Sequence, residues 1–140
     1  MSLRQAQHRF TVGTRGQGLV EITSEIAGWL AAQNPQTGLL TVYCRHTSAS
    51  LVIQENADPS VQRDLTRAFA RLAPESGSYE HDTEGPDDMP AHIKAALTQT
   101  SLSIPVAGGR MALGTWQGVY LFEHRRAPHR REVALHYIGA

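Results

Sequence analysis

The chain has a single cysteine, a single lysine and no excess of either charge. Cys44 stands alone in 140 residues, so no internal disulfide can form, and such usage fits a reducing compartment. Thirteen basic residues balance thirteen acidic ones, and the basic set is arginine apart from Lys94. With no net positive field, a general nucleic-acid binder is not expected. No apolar run approaches the roughly 20 residues of a membrane span, and the first ten residues, MSLRQAQHRF, lack the apolar stretch of a signal peptide. A cytoplasmic protein with no membrane partner is therefore expected. Repeats and low-complexity segments are missing too, so no linker divides the chain. Hydrophobic content of 41% over 140 residues suits one core, and a single domain over 1–140 is the expectation.

Several reaction signatures are also missing. Neither GxGxxG nor GxxxxGK[ST] occurs, Ser48 and Ser50 sit in no nucleophile elbow, and there is no HExxH and no CxxC pair. Dinucleotide, P-loop and serine-hydrolase chemistry are disfavoured accordingly.

What is present is a mixed pattern. Residues 10–14 and 19–23 flank Arg-Gly-Gln-Gly and read as a hairpin. Ser24 is placed as the cap of a short helix with Ile26, Trp29 and Leu30 on one face, ending before Asn34-Pro35. Residues 39–45 and 49–55 read as a second strand pair around His46-Thr47-Ser48. Asp58-Pro59 opens a helix whose stripe is Val61, Leu65, Phe69 and Leu72 and which stops at Pro74. A Gly- and acid-rich loop fills 75–88, and a third helix runs from Asp88 and Pro90 to about Gln99. Strand-like stretches follow at 101–106, 111–125 and 132–138. The class is α+β with antiparallel connections, because most links are too short for a crossover helix. In LGTWQGVYLFEHR, residues 113–125, alternation makes both faces apolar. Such a strand lies at the centre of a two-layer sandwich or at a subunit contact, and composition does not choose between them. Trp116 and Tyr120 are assigned to packing rather than to substrate stacking.

Three of the seven histidines stand where a side chain is free to act: His46 at a strand end, His81 in the acidic loop and His92 in the first turn of a helix. The dipole of that turn disfavours an imidazolium at His92. Three neutral imidazoles, or two and a carboxylate, suit a borderline divalent ion such as zinc; the plainer alternative is hydrogen-bonded surface or core histidines. In Glu55-Asn56-Ala57-Asp58-Pro59 helix capping accounts for Asp58 and turn chemistry for Asn56, leaving Glu55 unexplained. Glu123 and Arg125 share a strand face, and Arg110, Arg125, Arg130 and Arg131 are available to phosphate groups.

Three stretches, HTSASLVIQENADPSVQRDL, YEHDTEGPDDMPAHIKAAL and SLSIPVAGGRMALGTWQGVYLFEHR, closely resemble motif blocks of the YjbQ-type family, whose members are described as secondary thiamine-phosphate synthases. The resemblance runs from about Arg4 to Gly139, with Gln54 where the family pattern usually has Asn. It implies two small, mostly antiparallel sheets forming a β-sandwich flanked by two to three helices, and a homotrimer. The implied activity joins a hydroxymethylpyrimidine pyrophosphate to a thiazole phosphate and releases pyrophosphate. The expected site has His46, His81 and His92 as ligands of a divalent ion, zinc or magnesium, and Glu55 and Glu123 as catalytic carboxylates. Ser48, Asn56, Asp58, Arg125 and Arg131 are expected on the phosphorylated substrate, and His124 ranks below them. The alternative is a non-catalytic trimeric module that binds a small anion or a metal.

Overall fold

Along Ser101–Ala107 every second residue is buried: Leu102, Ile104 and Val106 point inward, while Ser101, Ser103 and Pro105 face out. That period of two marks a strand with one face on the core, and it recurs along residues 38–44 and 130–139. The computed structural model describes residues 2–140. Its elements are β1 (Arg4–Gly13), β2 (Gly18–Glu21), α1 (Thr23–Ala32), β3 (Gly38–Cys44), β4 (Ala49–Glu55), α2 (Pro59–Leu72), α3 (Asp88–Leu97), β5 (Ser101–Ala107), β6 (Arg110–Met111), β7 (Gln117–Glu123) and β8 (Arg130–Gly139). They form an α+β fold with a five-stranded sheet, β1-β8-β3-β5-β6, and a three-stranded sheet, β2-β7-β4. Every strand pairing is antiparallel. Among the described residues no helix is long and apolar enough to cross a membrane.

Both expected hairpins are crossings between sheets. β1 pairs with β8 and β2 with β7, while β3 lies in the large sheet and β4 in the small one. Gly16 and Gly18, at φ 139° and 140°, carry the chain across the first gap in conformations that side chains rarely adopt. Two strands facing each other across a sandwich show the same alternation and the same short polar link as a hairpin, so local pattern could not separate the two. α1 starts at Thr23 rather than at a Ser24 cap, with Ile22 as N-cap and no side-chain cap bond. The Thr23 hydroxyl instead accepts from the Val119 amide at 2.9 Å and ties α1 to β7. The expected long strand 111–125 is two strands, β6 and β7, because Gly114 closes a turn in which it accepts from the Gln117 amide.

The two apolar faces of β7 are both covered within one chain. Val119 and Leu121 join Leu40, Val42, Ile104, Val133 and Leu135 in the core between the sheets. On the opposite face Phe122 meets Phe69 of α2 edge-on, with ring centroids 5.3 Å apart. The order of layers is therefore five-stranded sheet, three-stranded sheet, then α2 and α3, whereas α1 adds Ile26 and Leu30 to the core and stacks Trp29 on His8 of β1 at 5.8 Å. Trp116 departs from the packing assignment: it sits on the turn before β7 and is 62% exposed. On the outer face of the large sheet, Leu39 is in register with both Ile138 and Pro105, and Tyr43 with Ala134. Leu39, Tyr43 and Ile138 are 40%, 47% and 43% exposed there.

One ion pair joins the two sheets at the end where β7 stops. Glu123, fully buried, accepts from Arg131 Nε of β8 at 2.7 Å and also from its terminal nitrogen. Burial alone would disfavour the charged carboxylate, but Arg131, the Arg125 amide and the Thr14 hydroxyl outweigh it and lower the Glu123 pKa. Removing one member of such a pair strands the other charge. Arg131→Met is expected to cost about 3–5 kcal/mol, and Glu123→Leu combined with Arg131→Met to recover much of the loss, as urea unfolding of the variants can measure. Since the folded carboxyl lies below its unfolded value, about 4.3, this contribution should be complete above that pH and vanish as pH falls through the folded value. Acid titration of unfolding free energy, with Glu123→Gln losing that dependence, is the check.

Candidate functional site

Asp88 and His92 stand one turn apart at the start of α3, which puts both side chains on one face of the helix. The acidic loop brings His81 to the same spot. Asp88 Oδ2 lies 2.7 Å from His81 Nε2 and 3.2 Å from His92 Nε2, and one donor atom from each of the three residues falls within 4.8 Å of the others. The remaining oxygen of Asp88 accepts from Arg125 at 2.8 Å; the same guanidinium donates to Asp87 at 2.9 Å and to the Glu84 carbonyl at 3.0 Å. Burial opposes ionisation of Asp88, but the hydrogen bond from His81 and the charges of His92 and Arg125 prevail and lower its pKa.

The tautomer of His92 follows from its other nitrogen. Nδ1 lies 2.9 Å from the Thr47 carbonyl, and a carbonyl only accepts, so Nδ1 carries the hydrogen. A neutral His92 then turns a lone pair, not a hydrogen, toward the Asp88 carboxylate. Facing the carboxylate with a lone pair, the ring needs a cation in between, which is either a proton on Nε2, giving the direct imidazolium–carboxylate contact at 3.2 Å, or a metal ion. Two imidazole nitrogens and a carboxylate oxygen, with one ring oriented by a backbone carbonyl, are a donor set that suits zinc or a similar divalent ion.

His92 also borders a cleft of about 850 Å³, whose walls include His46, Ser48, Ala95, Ala96 and Arg131. His46 accepts from the Glu132 amide through Nε2 at 2.7 Å. Burial, then the nearby Arg131, lowers its pKa. Arg131 donates from one terminal nitrogen to the Ser48 hydroxyl at 3.0 Å and to the Ser48 carbonyl at 3.2 Å.

The residues expected from sequence divide three ways. His81 and His92 come together, and His46 and Ser48 line the adjoining cleft. His46 stands outside the cluster, with its Nε2 taken by a backbone amide; the third donor is Asp88. Sequence reading left Asp88 as a helix start, although the spacing Asp88-x-x-x-His92 at a helix N-terminus was the available signal. Glu123, Arg125 and Arg131 lie close to the site but act on one another and on acids. The Glu123 carboxylate accepts from Thr14, from Arg131 and from the amides of His124 and Arg125, which leaves no lone pair for a substrate proton and corrects its assignment as a catalytic group. Arg125 is held on Asp87, Asp88 and Glu84, and Arg131 on Glu123 and Ser48, rather than set out toward a phosphate. Glu55, Asn56 and Asp58 lie at the other end of the small sheet, where Glu55 pairs with Gln117 while Ala49 pairs with Glu123, a separation of roughly 20 Å at strand rise. There Glu55 accepts from the Asp58 amide at 3.1 Å, Asp58 caps α2 through the Ser60 amide at 2.9 Å, and the Asn56 amide donates to the Trp116 carbonyl at 3.0 Å. Within one chain these three do not reach the cleft. His124 is buried with its pKa pushed down to about 3, by desolvation first and then by Lys94, and meets Ser50 at 2.8 Å.

Residues 8–140 match the family model described as UPF0047 protein YjbQ-like. A UPF0047 protein of Synechocystis sp. is 54% identical over 139 residues, covering 99% of this chain and 95% of its own. The UPF0047 protein YjbQ of Escherichia coli O157:H7 is 48% identical over 120 residues, or 85% and 87% of the two chains. Among solved structures, a hypothetical protein of Aeropyrum pernix K1 superposes with a TM-score of 0.88 at 33% identity, covering 96% of this chain and 99% of the other. A YbjQ-like protein of unknown function from Sulfolobus solfataricus P2 superposes with a TM-score of 0.92, covering 99% and 100%, and at 21% identity it speaks for the fold alone.

Arg125→Met removes the bonds that fasten Glu84, Asp87 and Asp88 to the end of β7. Amide hydrogen exchange in residues 84–88 is expected to accelerate about tenfold or more, with the core strands unchanged; unaltered exchange would show that another contact fastens the loop.

Proposed function

The chain belongs to the UPF0047 YjbQ-like family, and on that footing we propose that it is a metal-assisted transferase acting on phosphorylated small molecules. The observation that carries this is the hydrogen bond from His92 Nδ1 to the Thr47 carbonyl, which turns Nε2 toward Asp88 and His81 while the ring itself borders the cleft. His81, Asp88 and His92 would hold a divalent ion, which supplies positive charge beside a leaving phosphate oxygen. Arg125 keeps Asp88 ionised and in place, and Arg131, its charge paired with Glu123, holds the Ser48 hydroxyl at the cleft wall. The reaction proposed is the one the family resemblance implies. A ring nitrogen of a thiazole phosphate attacks the methylene carbon of a hydroxymethylpyrimidine pyrophosphate, the C–N bond forms, and the C–O electron pair departs with pyrophosphate. A ring nitrogen made quaternary loses no proton, so this chemistry asks for no general base, in keeping with the saturation of Glu123.

The same saturation favours a second reading, a non-catalytic module that binds a small anion or a metal, since proton-transfer chemistry has no free carboxylate in the cleft. In both readings the chain forms a homotrimer through the open face of the five-stranded sheet bearing Leu39, Tyr43 and Ile138. Glu55, Asn56 and Asp58 would then join a site only from a neighbouring copy. Ile138→Asp is expected to leave monomers in light scattering where the unaltered chain gives the mass of three.

Zinc titration by calorimetry, on protein stripped of metal, tests the site. One ion per chain is expected, with affinity reduced about tenfold or more by His92→Ala and by Asp88→Asn. With the pyrimidine and thiazole substrates, the zinc-loaded protein should release pyrophosphate and His92→Ala should not. Zinc binding without release would select the module; no zinc binding would remove the metal from both readings.

A further inference from the structure

His46 was expected among the metal ligands, and its contacts point to a different task. The Glu132 amide can only donate, and it does so to His46 Nε2 at 2.7 Å. That nitrogen therefore bears a lone pair, and in the neutral ring the hydrogen resides on Nδ1. Among the described residues Nδ1 has no hydrogen-bond partner, and it is not one of the sealed, unsatisfied atoms. The ring lines the cleft and Nδ1 is open to solvent, so a ligand in the cleft can take this N–H. Protonating the ring would set an N–H against the Glu132 N–H, so the neutral form is built into the backbone arrangement. Ser48 supplies a second donor. Its Oγ accepts from Arg131 at 3.0 Å, which leaves its own hydrogen free. Two neutral donors beside a buried guanidinium, next to but separate from the His81–Asp88–His92 cluster, are suited to an oxyanion.

We propose that His46 is a permanently neutral hydrogen-bond donor which, together with the Ser48 hydroxyl, holds an anionic oxygen of a phosphoryl group in the cleft and takes no part in binding the cation. The choice of phosphate over carboxylate rests on the proposed transferase reading; the donor role of His46 rests on the Glu132 contact alone.

Long-range proton–nitrogen NMR of the imidazole gives the direct readout. The His46 Nδ1 signal is expected in the protonated range and Nε2 in the unprotonated range, both unmoved between about pH 5 and about pH 8. Inorganic phosphate and acetate are then titrated separately, with His46 Nδ1 as reporter. Phosphate should shift it and acetate should not; a shift with acetate alone would overturn the phosphoryl assignment. His46→Ala is expected to weaken phosphate binding about tenfold or more. His46→Asn, which keeps an amide N–H near the Nδ1 position, should restore most of it, and zinc affinity should be unchanged in both. Overturning results are a protonated Nε2, phosphate affinity indifferent to His46→Ala, no phosphate binding by the unaltered protein, or a loss of zinc affinity in His46→Ala. Zinc binding without phosphate binding would sink this inference and leave the cation cluster standing, and the converse would do the opposite.

Discussion

Buried carboxylates at one end of the sandwich have to be neutralised, and two arginines do it. Glu123 emerges at the end of β7 into the space between the sheets, where an unpaired charge would be intolerable; Arg131 reaches across from β8 to meet it. Two residues further on, Arg125 performs the same office for Asp87 and Asp88 at the head of α3. The end of one strand thereby fastens the large sheet, the acidic loop and the third helix. Ser48, bonded to Arg131, and His92, bonded to Thr47, add the link after β3 to the same assembly, and the cleft is the space these fastenings leave open.

That constraint also separates supporting groups from acting ones. Charged residues that look catalytic in a linear sequence, Glu123, Arg125 and Arg131 among them, have their hydrogen-bonding capacity directed at each other. The groups with unspent capacity are less conspicuous: the Nε2 lone pair of His92, the Nδ1–H of His46 and the hydroxyl hydrogen of Ser48. A cluster of possible cation ligands that shares His92 with the cleft, and fixed neutral donors along the cleft wall, suit a ligand with an anionic group that lies close to a cation, and need little rearrangement when such a ligand arrives.

Much of the architecture was legible in the sequence. The helix opened by Asp58-Pro59, the strand alternation of residues 101–106 and the double apolar face around Val119 and Phe122 carried local signals that the fold kept. Partner choice was not legible: β1 with β8, and β4 with β7, are pairings across long separations, and a short polar link looks the same whether it closes a hairpin or crosses between sheets. In the site, His81 and His92 were legible as free imidazoles. Asp88 was hidden because a carboxylate at a helix start has an ordinary capping explanation, and His46 was misplaced because only the fold reveals the Glu132 amide on its Nε2. The block Glu55-Asn56-Ala57-Asp58 illustrates the remaining gap, since nearness in sequence to a site strand says nothing about which end of that strand is used.

The central claim is that His81 Nε2, His92 Nε2 and the Asp88 carboxylate converge on one divalent cation. Anomalous diffraction at the zinc absorption edge, from crystals of protein purified without chelator, addresses it most directly. The structure calls for a peak bonded to His81 Nε2, His92 Nε2 and Asp88 at about 2.0–2.2 Å, with the Thr47 contact of His92 intact. A map with no peak, and with both imidazoles hydrogen-bonded straight onto Asp88 as protonated rings, would contradict it.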